Sequence, residues 1–265
     1  MKYQHIITIS GGVSSWAAGR VAIDRGLIGD ENAVLLFCDT LFEDDSTYRF
    51  LDESVADLDL TLVRLCDGRT PWELFEDQEF LGNSRAAICS RILKRELMDR
   101  WRKENCDPED SWHYVGLDIY EINRFETHKE AMLPYRARAS LIEFGIDKAQ
   151  CLSMAQERGL TLPDAYADGF SHSNCRGLCV QAGQGHYGRL LRLYPERYIE
   201  AMEFEERWQA QTGKNNTFLM REVQGKRIPL SLRQLKDNLE NQLDFFPQDD
   251  GGGCGCAYLD KTNLN

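Results

Sequence analysis

Short apolar runs alternating with longer segments of helical character predict an α/β protein: a mostly parallel sheet with helices on both faces, then a helical C-terminal extension ending in a cysteine-bearing tail. Three observations lead there. Residues 5–9, 33–38, 60–65 and 112–117 have the length and apolar content of strands. The stretches between them are long enough for the crossover helices that parallel neighbours need. Helical spacing returns over residues 195–211 before Gly213, and again after Ser231, where Leu232, Leu235, Leu239 and Leu243 share a face.

The first run, HIITI, leads into ISGGVSSW. Two adjacent glycines, lacking Cβ atoms, let the backbone turn sharply and come close to another group. This is either a simple turn or a strand–loop–helix junction, whose free N–H groups and dipole attract an anion. The second run ends in LLFCDTLFEDDSTYRFLDE. Asp39 and Thr40 therefore sit at a strand's carboxyl end, on the edge that carries the glycine loop, where open α/β sheets bind ligands. A plain helix N-cap is the alternative for Asp39. After the third run, residues 84–103 read as a helix, with Ile88, Ile92, Leu97 and Trp101 near helical spacing. The chain closes on PQDDGGGCGCAYLDKTNLN, whose glycines make a flexible carrier for Cys254 and Cys256.

A chain of 265 residues can bury a proper core. Its formal charge of -12 excludes a surface that coats nucleic acid indiscriminately. Charge is uneven, however: Arg85, Arg91, Lys94, Arg95, Arg100, Arg102 and Lys103 face only Glu96 and Asp99 between residues 85 and 103, leaving room for a local anion site. No stretch has the pattern of a signal peptide or membrane span, so the expectation is a cytoplasmic protein with no membrane partner. Nine cysteines in such a chain suggest metal binding or thiol chemistry for those that cluster. Cys38, Cys66, Cys106 and Cys151 are scattered and read as packing residues.

Between strand and helix, SGGVSS has the setting of a phosphate loop, although not of the longer GxxxxGK[ST] type. Ser10, Ser14 and Ser15 offer hydroxyls; Gly11, Gly12, Val13 and Ser14 offer amides. Farther on, SHSNCRGLCVQAGQGHYG places Cys175 and Cys179 as C-x3-C, and the tail adds Cys254 and Cys256 as C-x-C. Four thiolates in two tight pairs suit zinc or an iron–sulfur cluster, against the alternative of reduced cysteines without metal. His172 and His186 flank the first pair as ligands, proton donors or ordinary loop residues. Arg189, Arg192 and Arg197 either extend an anion surface or face water.

Taken together, SGGVSS, FCDTLFEDDSTYRFL, CSRILKRE and YVGLDIYEINRF resemble the PP-loop superfamily of adenine nucleotide alpha hydrolases, in its PAPS reductase-like branch, over residues 4–198. The resemblance implies a Rossmann-like nucleotide-binding domain over 1–198, with 199–265 packing on it as a helical extension. It makes Lys94 an anion-binding, catalytic lysine and Cys89 a catalytic thiol or alternative metal ligand, and it adds Gly116 and Arg124 to the nucleotide site. ATP, or phosphoadenylyl or adenylyl sulfate (PAPS, APS), would be the nucleotide. Two departures stand out. ATP-cleaving members carry an aspartate where this chain has Ser14, which weakens the case for magnesium (Mg), and the paired cysteines before the lysine are here Cys89-Ser90. The implied reaction cleaves ATP to AMP and pyrophosphate to adenylate an acceptor, such as tRNA, DNA or a small molecule, for sulfur transfer from a sulfur or electron donor protein. The alternatives are a PAPS/APS reductase, whose usual ECGLH-like tail is replaced by GGGCGCAYLD, and a non-catalytic, nucleotide-responsive metal scaffold.

Overall fold

The computed structural model describes residues 2–29 and 32–241; Leu243, Cys254 and Cys256 lie outside them. Five strands, β1 (His5–Thr8), β2 (Ala33–Asp39), β3 (Leu62–Cys66), β4 (Trp112–Tyr114) and β5 (Arg136–Arg138), form one sheet of order β3-β2-β1-β4-β5, parallel throughout. The helices are α1 (Val13–Asp24), α2 (Asp45–Leu58), α3 (Pro71–Asp77), α4 (Glu96–Asn105), α5 (Ile122–Ala131), α6 (Ser140–Glu143), α7 (Lys148–Glu157), α8 (Asp164–Ala167), α9 (Gln184–Leu193), α10 (Pro195–Thr212) and α11 (Leu232–Glu240). Because alternate residues of a strand point to opposite faces, Ile7, Leu35, Phe37 and Tyr114 pack against Trp16 of α1 and Phe50 of α2 on one side. Ile6, Val34, Leu36 and Cys38 meet Met98 of α4 on the other. Both faces are covered, as a parallel sheet requires, and the fold is Rossmann-like α/β.

The chain runs outward from β1 through β2 to β3, then returns to β1's other side with β4. The switch between β1 and β4 opens a crevice at their carboxyl ends.

Several elements differ from expectation. Strand β4 stops at Tyr114 rather than at 117, because the chain must leave the sheet to pass α1: a Cβ on Gly116 would lie 2.6 Å from the Ser15 amide nitrogen. Strand β5, Arg-Ala-Arg, is a three-residue edge without an apolar run. The helix expected over 84–103 begins at Ile88. Asn83 accepts the Arg85 and Ala86 N–H groups through its side chain, at 3.0 and 3.2 Å, and so competes with a helical start. That helix also enters α4 through a π-helical turn, Ser90–Arg95.

The extension is not wholly helical. An antiparallel hairpin, β6 (Leu219–Val223) and β7 (Lys226–Leu230), turns at Gln224 and Gly225, whose φ values of 52 and 74° are those of a tight hairpin turn. Its charged strands, LMREV and KRIPL, hide the alternation that marks a half-buried strand. Phe204 and Trp208 of α10, Phe218, and Leu232 and Leu235 of α11 share one apolar cluster with Phe42 and Phe75. Tyr198, at the boundary drawn from sequence, lies inside α10, buried, and donates to the Leu232 carbonyl at 2.6 Å. Among the described residues, no helix is long and apolar enough to cross a membrane.

Candidate functional site

A cavity of about 300 Å³ occupies the crevice, lined by Ser10, Gly12 and Ser14 on one wall and by residues 115–118 on the other. Gly11 holds φ +76°, and a Cβ there would meet Thr47 Cγ2 at 2.6 Å, so glycine is needed twice over. Ser15 braces the loop from within: its Oγ accepts from the Ser10 amide at 3.0 Å and donates to the Gly12 carbonyl at 2.7 Å. The Val13 amide donates to the Tyr166 hydroxyl at 3.1 Å. Among the described residues the amides of Gly11, Gly12 and Ser14 make no hydrogen bond, and they stand at the positive end of the twelve-residue α1. Of the residues expected here, Ser10, Gly12, Ser14 and Ser15 line the cavity, while Val13 and Gly11 shape the loop.

Arg124, on α5, lines the same cavity and pairs with Glu121. Gly116 contributes by its lack of a side chain, letting the β4 loop touch the first turn of α1. His172 and Ser173 close the far side. Lys148, the first residue of α7, was not foreseen. Its Nζ lies 3.2 Å from Ser14 Oγ and 4.8 Å from the centre of the Tyr166 ring. The sequence held one clue, since a cation in a helix's first turn opposes the dipole and needs another reason to be there.

A second, narrower pocket adjoins the first; Asn174 lines both. Cys89, Cys175 and Cys179 face it, together with Thr40 and Lys94. The structure therefore places Lys94 among the thiols, not on the phosphate loop. Its Nζ lies 3.6 Å from Glu43 Oε1, and both side chains are almost wholly buried. The Glu43 carboxylate also accepts the Cys175 amide at 2.5 Å and the Thr40 hydroxyl at 3.4 Å. These contacts hold Cys175 and Arg176 at φ 51 and 54°, a left-handed conformation that costs non-glycine residues of the order of 1–3 kcal/mol each. Arg197 steadies the same loop by binding the Asp44 carboxylate and the Arg176 carbonyl.

The paired thiols differ in acidity. A hydrogen bond between the sulfurs pulls Cys179 below the usual thiol range and pushes Cys175 well above it, and the Lys94 charge favours the thiolate in both. Burial pushes Cys89 up to about 12. Asp39 faces neither pocket: its carboxylate accepts the Leu41 amide at 2.8 Å, the Tyr48 hydroxyl at 2.7 Å and an Arg64 N–H at 3.1 Å, fixing the turn after β2. His186 sits buried against the Gly177 carbonyl, and Arg189 reaches the Gly169 carbonyl, leaving Arg192 exposed. Much of the basic segment is paired too, Arg91 with Glu96 and Arg102 with Asp99. Among the described residues no group of three or more His, Cys, Asp or Glu side chains is arranged to hold a metal ion. The expected ligands Cys254 and Cys256 lie outside those residues.

Fold and cleft define a Rossmann-like α/β protein with its cavity at the topological switch point. No family model matches the sequence, and no curated protein does. Among solved structures, the chain is similar to a phosphoadenylyl-sulfate (PAPS) reductase from Candida auris in a phosphate complex, at 18% identity, covering 63% of this chain and 79% of that one, with a TM-score of 0.46. An NH3-dependent NAD synthetase from Campylobacter jejuni follows at 16%, 84%, 90% and 0.41 on the same measures. A U34-tRNA thiolase from Methanococcus maripaludis, described with its [4Fe-4S] cluster, gives 13%, 61%, 59% and 0.43. Likeness this distant carries nothing about the reaction, which leaves the residues of the two pockets.

Proposed function

We propose that this chain is a PP-loop enzyme that cleaves ATP to AMP and pyrophosphate, adenylates an acceptor oxygen and prepares it for attack by sulfur. The observation that carries this reading is the shared wall: a cavity floored by unbonded loop amides has Asn174 in common with a pocket of three cysteines and a buried lysine. In it, the amides of Gly11, Gly12 and Ser14 and the hydroxyls of Ser10 and Ser14 hold the phosphates of the adenine nucleotide. Such donors, fixed before the reaction, stabilise charge that grows on the leaving pyrophosphate. Arg124 adds a cation on the opposite wall. The Cys179 thiolate, with Lys94 as its counter-charge, takes the outer sulfur of a persulfide on the sulfur donor protein, whose own sulfur leaves as a thiolate. The transferred sulfur displaces AMP from the acceptor carbon, and Cys89 or Cys175 then attacks Cys179 Sγ, freeing the thiolated acceptor and leaving a disulfide for an electron donor to reduce. A sulfur donor protein and a tRNA, DNA or small-molecule acceptor complete the reaction.

The resemblance and the spacing also bring an iron–sulfur cluster or zinc on Cys175 and Cys179, completed by Cys89 and one tail cysteine or by Cys254 and Cys256. In the described residues the thiols face one pocket without converging on a ligand position, so no step is assigned to a metal. Metal content and the visible spectrum of anaerobically purified protein test that element. The hydrogen-bonded pair of Cys175 and Cys179 supports a second reading, reduction of PAPS or adenylyl sulfate by thiolate attack on the sulfate sulfur. Two assays separate the readings. Pyrophosphate release from ATP is the result expected; sulfite release from PAPS with a thiol donor, and none of pyrophosphate from ATP, would replace it with the second.

A further inference from the structure

The resemblance places a magnesium-holding aspartate where this chain has Ser14, and the surroundings of Ser14 do not suit a divalent ion. Its neutral hydroxyl lies 3.2 Å from the Lys148 ammonium. That ammonium rests 4.8 Å from the centre of the Tyr166 ring and 3.4 Å from its hydroxyl, the same hydroxyl that accepts the Val13 amide of the loop. Of the carboxylates that line the cavity, Asp118 accepts the Tyr120 amide at 2.9 Å and Glu121 pairs with Arg124. A divalent ion at Ser14 would thus meet the Lys148 ammonium and a neutral hydroxyl where the resemblance places a carboxylate.

We infer that Lys148 is itself the cation of the phosphate loop, contacting bound phosphate oxygens beside Ser14, so that polyphosphate binds here without magnesium. Tyr166 orients it, holding the ammonium from one side and the loop from the other. This inference rests on reading the cavity as an adenine-nucleotide site, and the experiment keeps the two apart.

The full chain is titrated calorimetrically with the α,β-methylene analogue of ATP and, separately, with inorganic pyrophosphate, each in excess EDTA and in excess magnesium chloride. Wild-type affinity should agree between the two conditions within about threefold. Lys148→Met should weaken both probes in EDTA by at least about tenfold, the loss of one charge-assisted hydrogen bond, and Lys148→Arg should restore most of it. Binding of wild type only with magnesium, or unchanged binding by Lys148→Met in EDTA, overturns the inference. Should pyrophosphate bind in a Lys148-dependent way while the ATP analogue does not, the inference stands and the adenine-nucleotide reading falls. If neither probe binds, both fall. Melting curves check that the variants fold; if Lys148→Met does not, the wild-type comparison and Lys148→Arg decide, since an arginine that binds only with magnesium also refutes the claim.

Discussion

Cys175 and Cys179 share one hydrogen bond yet carry opposite shifts, and a buried cation decides how much thiolate the pair holds. Lys94 sits beside them, with Glu43 as its partner. Replacing Lys94 by Met removes the positive charge and leaves the Glu43 carboxylate facing the sulfurs, so both effects disfavour the thiolate. The pH profile of alkylation by iodoacetamide should move up by about one unit or more in Lys94→Met, a change of roughly tenfold in thiolate at fixed pH. A profile that does not move refutes the role given to Lys94. At this scale the sequence was readable wherever chemistry was local. The C-x3-C spacing marked Cys175 and Cys179, and the serines and glycines of the loop marked themselves. Glu43, Tyr166 and Lys148 went unmarked because their partners are brought to them by the fold: 132 residues separate Glu43 from Cys175, and 134 separate Lys148 from Ser14. Lys94 was marked only by the resemblance, and its buried partner Glu43 could not be read from the basic residues around it.

An element works here by where it lets another element lie. The close contact of the β4 loop with the first turn of α1 depends on Gly116, whose added Cβ would come within 2.6 Å of backbone that has no freedom to yield. Gly116→Ala should cost about 1–3 kcal/mol of stability, the usual range for overpacking. It should also weaken pyrophosphate binding, because the displaced turn is the one whose amides line the cavity. Gly29→Ala, where a Cβ meets nothing within 4 Å, is the control and should change neither. A Gly116→Ala protein that melts and binds like wild type would mean that the two elements can slide apart freely. Of the elements themselves, the four apolar strands were legible because a buried parallel strand is a continuous apolar run. β5 and the β6–β7 hairpin were not, because an edge strand of three residues and a charged hairpin owe their pairing to neighbours rather than to composition.

Across the whole molecule, three buried titratable groups set opposing responses to acid. Burial drives His113 on β4 down to about 2 and His128 on α5 to about 3, against an ordinary 6.5, with the Arg102 charge adding to both. Burial drives Glu205 on α10 up to about 7 from 4.5, although the Phe218 and Leu232 amides that it ties to the extension oppose the shift. The signs follow from which state holds the proton. Below pH 6.5 the unfolded chain protonates both histidines and the folded chain does not, so their contribution to stability is lost as pH falls. For the carboxyl the folded chain keeps a proton that the unfolded chain releases above pH 4.5, so stability is lost as pH rises towards 7. Near pH 5.5 the unfolded state binds almost two protons more at the histidines and almost one fewer at Glu205. These groups should therefore make stability fall on acidification by about 1.4 kcal/mol per pH unit. Denaturant titrations at several pH values between 5 and 5.5 give that slope directly. Glu205→Gln should roughly double it and His113→Leu should bring it close to zero, whatever each substitution does to stability at a single pH. Were both variants to keep the wild-type slope, the acid response would have to arise from groups nearer the surface, and the two buried regions would not be coupled to proton uptake at all.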